Sequence, residues 1–502
     1  MLSKAQELAR LGLFDELADL CQDYDCCTVS EIFDLAALLK STGMYQLAEG
    51  LYEKALHLDP SLEWQIEANV ASMLSALGQH EAAFRKYQRA LKRNAQSKSL
   101  RRSLILAAEY SPFLDAQQRF ELAVEWGNWV ESHVGKCSRP NAYQHKKLRV
   151  GYVSADICQH TVGLLAKDVI TSHRAFEAYV YSDTQQLDWV TNIVLKGSKF
   201  RDVRKLSDQQ LAALIQHDEI DILVDLSGHT AGSRLTVFAL RPAPVQISWL
   251  GYFATTGLSA IDAIFLDSAH APASAVNYFS ESIKHLRSRM FYKPVPWAPK
   301  VSTAPCLANG YVTFGSFNNT AKFNQPVYET WIEVLLAVPR SRLILKWRSF
   351  NDQAFKRNIE KLFIQRGVSS DRIELRGPSF HNSLLKEYSE IDIALDPFPF
   401  TGGITTFEAL WMGVPVITHP MERAVSRQSL SVLTHLGLES ELVADSVQEY
   451  VAKAVSLAQK PEKLAELRAS LRQMMIQSQC TDLPAFIEDF EATLMQTYQE
   501  FR

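Results

Sequence analysis

The spacing of apolar and polar positions changes once along this chain. Over the first 135 residues apolar positions follow a helical rhythm, as in MLSKAQELARLGLF and in SLRRSLILAAEYSPFLDAQQRFELAVEWGNWV, which predicts amphipathic helices. Two stretches of this region, LLKSTGMYQLAEGLYEKALHLDP and MLSALGQHEAAFRKYQRALKRNA, repeat at a fixed offset. Gly43, Ala48, Tyr52, Ala55 and Leu56 recur as Gly78, Ala83, Tyr87, Ala90 and Leu91, each 35 positions later. Small residues at Ala48 and Ala83 let helices approach closely, and Gly43 and Gly78 are suited to the turns between helices.

The period resembles that of tetratricopeptide repeats, about 34 residues. A third, degenerate unit is expected around Gly12, in LARLGLFDELADLCQ. So short a stack needs neighbours to bury its faces, and it is expected to dock on the remainder of the chain. Residues 1–98 are read as repeats and residues 99–145 as a helical connector, ending in the polar linker GKCSRPNAYQH.

From Leu148 the pattern becomes one of short β-rich runs separated by helical segments. LRVGYVSAD, AYVYSD, IDILVDLSGH and VQISWLGY are followed, after the proline-rich PVPWAPKVSTAP, by YVTFGSF, SRLILKW, DRIELRG, IDIALD and VPVITHP. Such alternation predicts mostly parallel, doubly wound sheets. Two Rossmann-like lobes facing across a cleft are expected, over residues 146–296 and 305–502, with ligands beyond the carboxyl ends of the strands. Two such α/β lobes, here preceded by an all-α region, are the architecture of GT-B glycosyltransferases. Some sugar-nucleotide epimerases share the two lobes without needing the repeats.

Composition narrows the class. The chain has 502 residues, 47% hydrophobic and 22% charged, with a formal net charge of −4. That is a globular protein with no electrostatic case for a nucleic-acid partner. No apolar run approaches the roughly 18 residues of a membrane span, and the first segment lacks the features of a signal peptide. Seven scattered cysteines without a CxxC pair suggest free thiols in a reducing cytoplasm.

Three segments carry candidate chemistry. In IDIALDPFPFTGGITTFEALWMGVPVIT, a strand ending at Asp396 leads to Gly402 and Gly403 at a helix start. Amide groups and the helix dipole there favour a phosphate. Thr405 and Thr406 add hydroxyl donors, and Glu408 could accept from ribose hydroxyls. In GSFNNTAKFNQ, Asn318, Asn319 and Lys322 share one loop, and a lysine there can neutralise a departing diphosphate. His160 and His229 follow strands of the first lobe, where a histidine can orient substrate or exchange a proton. The only DxD, Asp23-Tyr24-Asp25, lies among the helices and is read as a solvated helix end. No metal site or cofactor is expected.

LRVGYVSADICQHTVG, DLSGHTAGSRLTVFALRPAPVQISWLGY, FGSFNNTAKFN and DPFPFTGGITTFEALWMGVPVIT together resemble the O-GlcNAc transferase and SPINDLY family, glycosyltransferase family 41, in its bacterial form. The resemblance covers about residues 146–460. It implies an inverting, metal-independent GT-B enzyme that moves a sugar from a nucleotide diphosphate, such as UDP-GlcNAc or UDP-glucose, to Ser or Thr hydroxyls of proteins. It puts Lys322 and Asn319 at the diphosphate, Thr405 at a phosphate and Glu408 at the ribose. Ser379 and His381 fall in the segment that flanks the base, His160 near acceptor and sugar, and His229 in an active-site motif. Four departures stand out. Ile404 replaces a threonine, Phe400 a small residue, Gly251–Gly257 reads GYFATTG in place of GYPGTSG, and the segment around Asp267-Ser268-Ala269-His270 strays from the family's usual text. A protein or peptide acceptor, engaged by the repeats, is the expected partner. The competing expectations are a catalytically weak adaptor and a transferase acting on a saccharide or small molecule.

Overall fold

The computed structural model describes residues 1–22, 27–135 and 137–502, so the Asp23-Tyr24-Asp25 motif lies outside the described residues. These fall into two compact units that do not follow chain order. One takes in residues 1–113, 297–419 and 442–471, the other residues 114–296, 420–441 and 472–502.

The first unit opens with helices Leu2–Leu11, Phe14–Leu20, Val29–Thr42, Tyr45–Leu58, Glu63–Ala76, His80–Arg93 and Lys98–Tyr110. Thr28 starts the third of these with a capping box closed by Glu31. Gly12, Gly43 and Gly78 come after helices with φ of 74°, 87° and 75°, a left-handed conformation that glycine adopts without strain. Ala48 and Ala83 are fully buried where the helices meet, as are Ala55 and Ala90.

The same unit holds a five-stranded parallel sheet. Its strands take their numbers after the seven of the other unit: β8 (Thr313–Ser316), β9 (Arg342–Lys346), β10 (Ile373–Arg376), β11 (Ile393–Leu395) and β12 (Val416–Ile417), in the order β10-β9-β8-β11-β12. The strands are short apolar runs, because helices cover both faces of such a sheet. Arg468, 2% exposed, ties the unit together by donating to the carbonyls of Ser302, Tyr388 and Ile391.

The second unit is a seven-stranded parallel sheet of β1 (Arg149–Ser154), β2 (Glu177–Ser182), β3 (Lys199–Asp202), β4 (Ile222–Asp225), β5 (Val245–Trp249), β6 (Ala263–Asp267) and β7 (Ser282–Leu286), in the order β3-β2-β1-β4-β5-β6-β7. Helix Ala116–Val134, capped by Asp115 and Gln118, belongs with it. So does helix Leu483–Phe501. Phe490 lies 4.5 Å from Trp249 and 5.7 Å from Phe265 between ring centroids, and Glu491 accepts from the Arg174 and Ala175 amides. The two sheets are separate, as the proline-rich break predicts. No helix of the described residues is long and apolar enough to cross a membrane.

Candidate active site

The five-stranded sheet reverses its order between β8 and β11, and ligands of open parallel sheets gather outside the carboxyl strand ends at such a point. Both loops at this reversal are built from residues singled out in the sequence. Beyond β8 come Asn318, Asn319 and the 3₁₀ turn Thr320–Lys322. Asn319 caps that turn, its Oδ1 accepting from the Ala321 amide at 3.0 Å. It is Asn318 that meets the lysine: its Oδ1 accepts from Lys322 Nζ at 3.2 Å and from the Thr405 hydroxyl at 2.9 Å. Lys322 also donates to the Thr401 carbonyl at 2.8 Å, and its ammonium lies 4.7 Å from the centre of the Phe400 ring. Burial pushes the Lys322 ammonium down to about 8, against the pull of the Asp396 carboxylate.

Beyond β11 the buried Asp396 carboxylate accepts from the Gly402 amide and the Thr418 hydroxyl, each at 2.7 Å, which folds the proline-rich loop back onto the strand end. A Cβ on Gly402 would collide with the hydroxyls of Thr405 and Thr406, so close approach requires glycine there. Gly403 is the N-cap of helix Ile404–Trp411 and supplies no capping side chain. The first-turn amides of a helix lack intrahelical partners and carry the positive end of its dipole. An ammonium, a threonine hydroxyl and a helix start therefore converge, an arrangement suited to a phosphate group.

Glu408, 5% exposed, lies one turn along this helix. His381 Nε2 is 2.6 Å from its Oε1, and the Trp297 indole N–H is 3.3 Å from His381 Nδ1. An indole nitrogen only donates, so Nδ1 accepts and Nε2–H donates to the carboxylate. Trp297, His381 and Glu408 thus form one oriented chain. Ser379 is apart from it: exposed, it donates to Glu387 at 2.8 Å, and Glu387 pairs with Lys346 at 2.9 Å.

In the other unit the sheet reverses between β1 and β4, and the two histidines come after these two strands. His160 is the N-cap of helix Thr161–Thr171, its Nδ1 accepting from the Val162 amide at 3.4 Å with half its side chain exposed. His229 is different. It is 1% exposed, and its Nε2 donates to the Thr256 carbonyl at 2.9 Å. Its ring stands edge-on to Trp126 and Tyr252, with centroids 4.7 and 5.3 Å away. The loop it supports is also held by Glu281, which accepts from the Thr256 amide and the Thr255 hydroxyl at 2.7 Å. At the end of β4, Asp225 accepts from the Ser227 and Gly228 amides, and burial pushes its carboxyl up to about 6.

The residues that support these loops carry weaker sequence signals than the loops themselves. Asp396 was legible only as a strand end. Trp297 was a lone tryptophan among prolines, and Glu281 gave no signal, because each acts through a partner far along the chain. Among the described residues no group of three or more His, Cys, Asp or Glu side chains could hold a metal ion.

Two separate parallel sheets behind a helical region, with a phosphate-suited loop pair at one reversal, define a glycosyltransferase of GT-B fold. The chain belongs to glycosyl transferase family 41, which matches residues 116–293 and 302–490. It is similar to a probable UDP-N-acetylglucosamine--peptide N-acetylglucosaminyltransferase SPINDLY of Hordeum vulgare, 34% identical over 417 residues, 81% of this chain and 44% of the relative. The counterpart of Petunia hybrida is 34% identical over 422 residues, 82% of this chain and 45% of the relative. The chain thus spans less than half the length of these curated relatives. A solved structure, that of a Thermobaculum terrenum O-GlcNAc transferase mutant, is 32% identical and superimposes with a TM-score of 0.91, covering 99% of this chain and 96% of that one.

Proposed function

We propose that the chain is an inverting, metal-independent transferase that moves a sugar from a nucleotide diphosphate to Ser or Thr hydroxyls of proteins. The observation that carries this reading is the Lys322 ammonium, held by the Thr401 carbonyl and Asn318 beside the start of helix Ile404–Trp411. When the acceptor oxygen bonds to the anomeric carbon, the bond from that carbon to the diphosphate breaks and negative charge builds on phosphate oxygens. Lys322 meets that charge, with the Thr405 and Thr406 hydroxyls and the amides beyond Gly402 and Gly403 around it. Glu408, oriented by His381, accepts from the ribose hydroxyls. Asn319 shapes the lysine loop, and the segment of Ser379 and His381 flanks the base.

The histidines of the other unit take different parts in this proposal. His160 accepts an amide proton at Nδ1, so its neutral ring carries hydrogen at Nε2 and suits holding an oxygen. His229, buried with Nε2 committed to Thr256, fixes the Gly251–Gly257 loop. The acceptor hydroxyl gives up its proton to a base as its oxygen bonds to the anomeric carbon, a role assigned here to neither histidine.

The names of the relatives specify UDP-N-acetylglucosamine and a peptide, which support a UDP-linked donor and a protein acceptor here. N-acetylglucosamine or another hexose is the proposed sugar, and the cytoplasm, with cysteines as free thiols, the proposed compartment. The test is incubation with a panel of nucleotide sugars and peptide acceptors in EDTA, read by intact mass. A hexose or N-acetylhexosamine increment on Ser or Thr is expected. Labelling that EDTA abolishes and Mn²⁺ restores would overturn the metal-independent scheme, and free sugar or epimerised donor as the only product would overturn protein transfer.

A further inference from the structure

Three rings lead from the helical repeats to the Lys322 ammonium. His80, the first residue of helix His80–Arg93 and 2% exposed, stacks on Tyr110 with centroids 5.8 Å apart and planes at 14°. Tyr110, the last residue of helix Lys98–Tyr110, stacks on Phe400 at 4.4 Å and 19°. Phe400 in turn lies against the ammonium. The turn that carries the lysine is gripped by the same helices. The Thr320 hydroxyl donates to the Ala76 carbonyl at 2.6 Å, where helix Glu63–Ala76 ends. Two residues on, a Cβ on Gly78 would collide with the Phe323 carbonyl oxygen. The glycine that recurs with the repeat thus does two jobs: it makes the left-handed turn and lets that turn touch the lysine loop.

We propose that the helical repeats are the scaffold that positions Lys322, with Tyr110 and Thr320 as positioning residues. Tyr110 acts through Phe400, and Thr320 fixes the turn itself. The consequence for catalysis rests on the proposed role of Lys322 at the leaving diphosphate. An ammonium displaced by about 1 Å from a developing charge costs on the order of 10²-fold in rate, so a scaffold that holds the lysine sets the speed of transfer without touching substrate. Burial pushes His80 down to about 4, so the stack stays neutral and does not repel the ammonium at physiological pH.

The test compares Tyr110→Leu and Tyr110→Phe in the full chain by three readouts: kcat, KM for the nucleotide sugar, and the rate at which an amine-acetylating reagent labels Lys322, followed by peptide mass. Tyr110→Leu should lower kcat about tenfold with KM within about twofold, the split expected when only transition-state contacts suffer. Lys322 should label faster in that variant while other lysines do not change, and Tyr110→Phe, which keeps the ring, should restore both. In a Lys322→Ala background Tyr110→Leu should cost little more. Unchanged Lys322 labelling in Tyr110→Leu would overturn the proposal. Faster labelling while neither Tyr110→Leu nor Lys322→Ala alters turnover would uphold the scaffold and remove Lys322 from the chemistry. Should Tyr110→Leu fail to fold, Thr320→Val, of nearly the same volume, puts the same question through the bond to Ala76.

Discussion

Replacing Lys322 by alanine removes an ammonium from the loop pair at the β8–β11 reversal and leaves the Asp396 carboxylate there. The loss should fall on kcat, by about 10² to 10³, while nucleotide affinity should drop less than that, because the base and ribose contacts proposed for the His381 segment and Glu408 do not involve the lysine. Steady-state rates beside nucleotide titrations check both halves. The same lysine sets a pH limb. Its ammonium in the free protein titrates near 8, so the charged form prevails below that pH and is lost above it. kcat/KM should therefore fall as pH rises through about 8, and the limb of kcat should lie higher, because a bound diphosphate favours the ammonium. Stopped assays across pH 6.5–10 in Lys322 and Lys322→Arg proteins locate the limb, which arginine should abolish. The two histidines separate by burial. His229→Ala leaves a hole between Trp126 and Tyr252 and should cost about 2–4 kcal/mol of stability, read as a lower Tm. His160→Ala gives up a half-exposed helix cap and should lower turnover with a Tm shift of only a few degrees.

Helix Ile404–Trp411 begins without a capping side chain because its first turn is shaped by Gly402 and by Asp396, which holds the Gly402 amide. Gly402→Ala drives a methyl group into the Thr405 and Thr406 hydroxyls, and we expect loss of nucleotide affinity by about tenfold or more, since displaced donors forfeit charge-assisted bonds. Isothermal titration with UDP measures it. Gly50→Ala, within helix Tyr45–Leu58, tests the specificity of that effect: with open space around its Cβ position and no left-handed backbone to strain, it should leave affinity alone. At this scale the sequence was informative where the candidate site residues are local. Glycines, threonines and an acidic residue at fixed offsets announce a helix start. It was silent where an element is held by a distant one: nothing in TGGITTFE points to Asn318, and nothing in HNSLLKE points to Trp297. Asn318 and Asn319 looked interchangeable on the loop. Only the 3₁₀ turn, which spends Asn319 on the Ala321 amide, separates them.

For the whole chain, the change from helical to alternating rhythm at Leu148 and the prolines between Pro294 and Pro305 were enough to read two α/β sheets behind a helical region. The order of strands was not legible, since parallel pairs are joined by crossovers whose endpoints no local pattern specifies. Nor was the return of residues 472–502 to the seven-stranded sheet: Phe486 and Phe490 have the spacing of any amphipathic helix, and only their contact with Trp249, Phe265 and Phe291 gives them an address. That address has a bearing on synthesis. A ribosome that has released β1 to β7 has made every strand of the sheet, yet the surface of Trp249 and Phe265 stays wet until residue 490 emerges, some two hundred residues later. Nascent chains stalled after residue 471 should thus remain open to protease within residues 149–286, and chains stalled far enough past residue 501 to free the last helix should resist it. Early protection would mean that the sheet closes without its final helix. Until then the half of the protein made first is the half that waits, a natural client for whatever chaperone guards the exit tunnel.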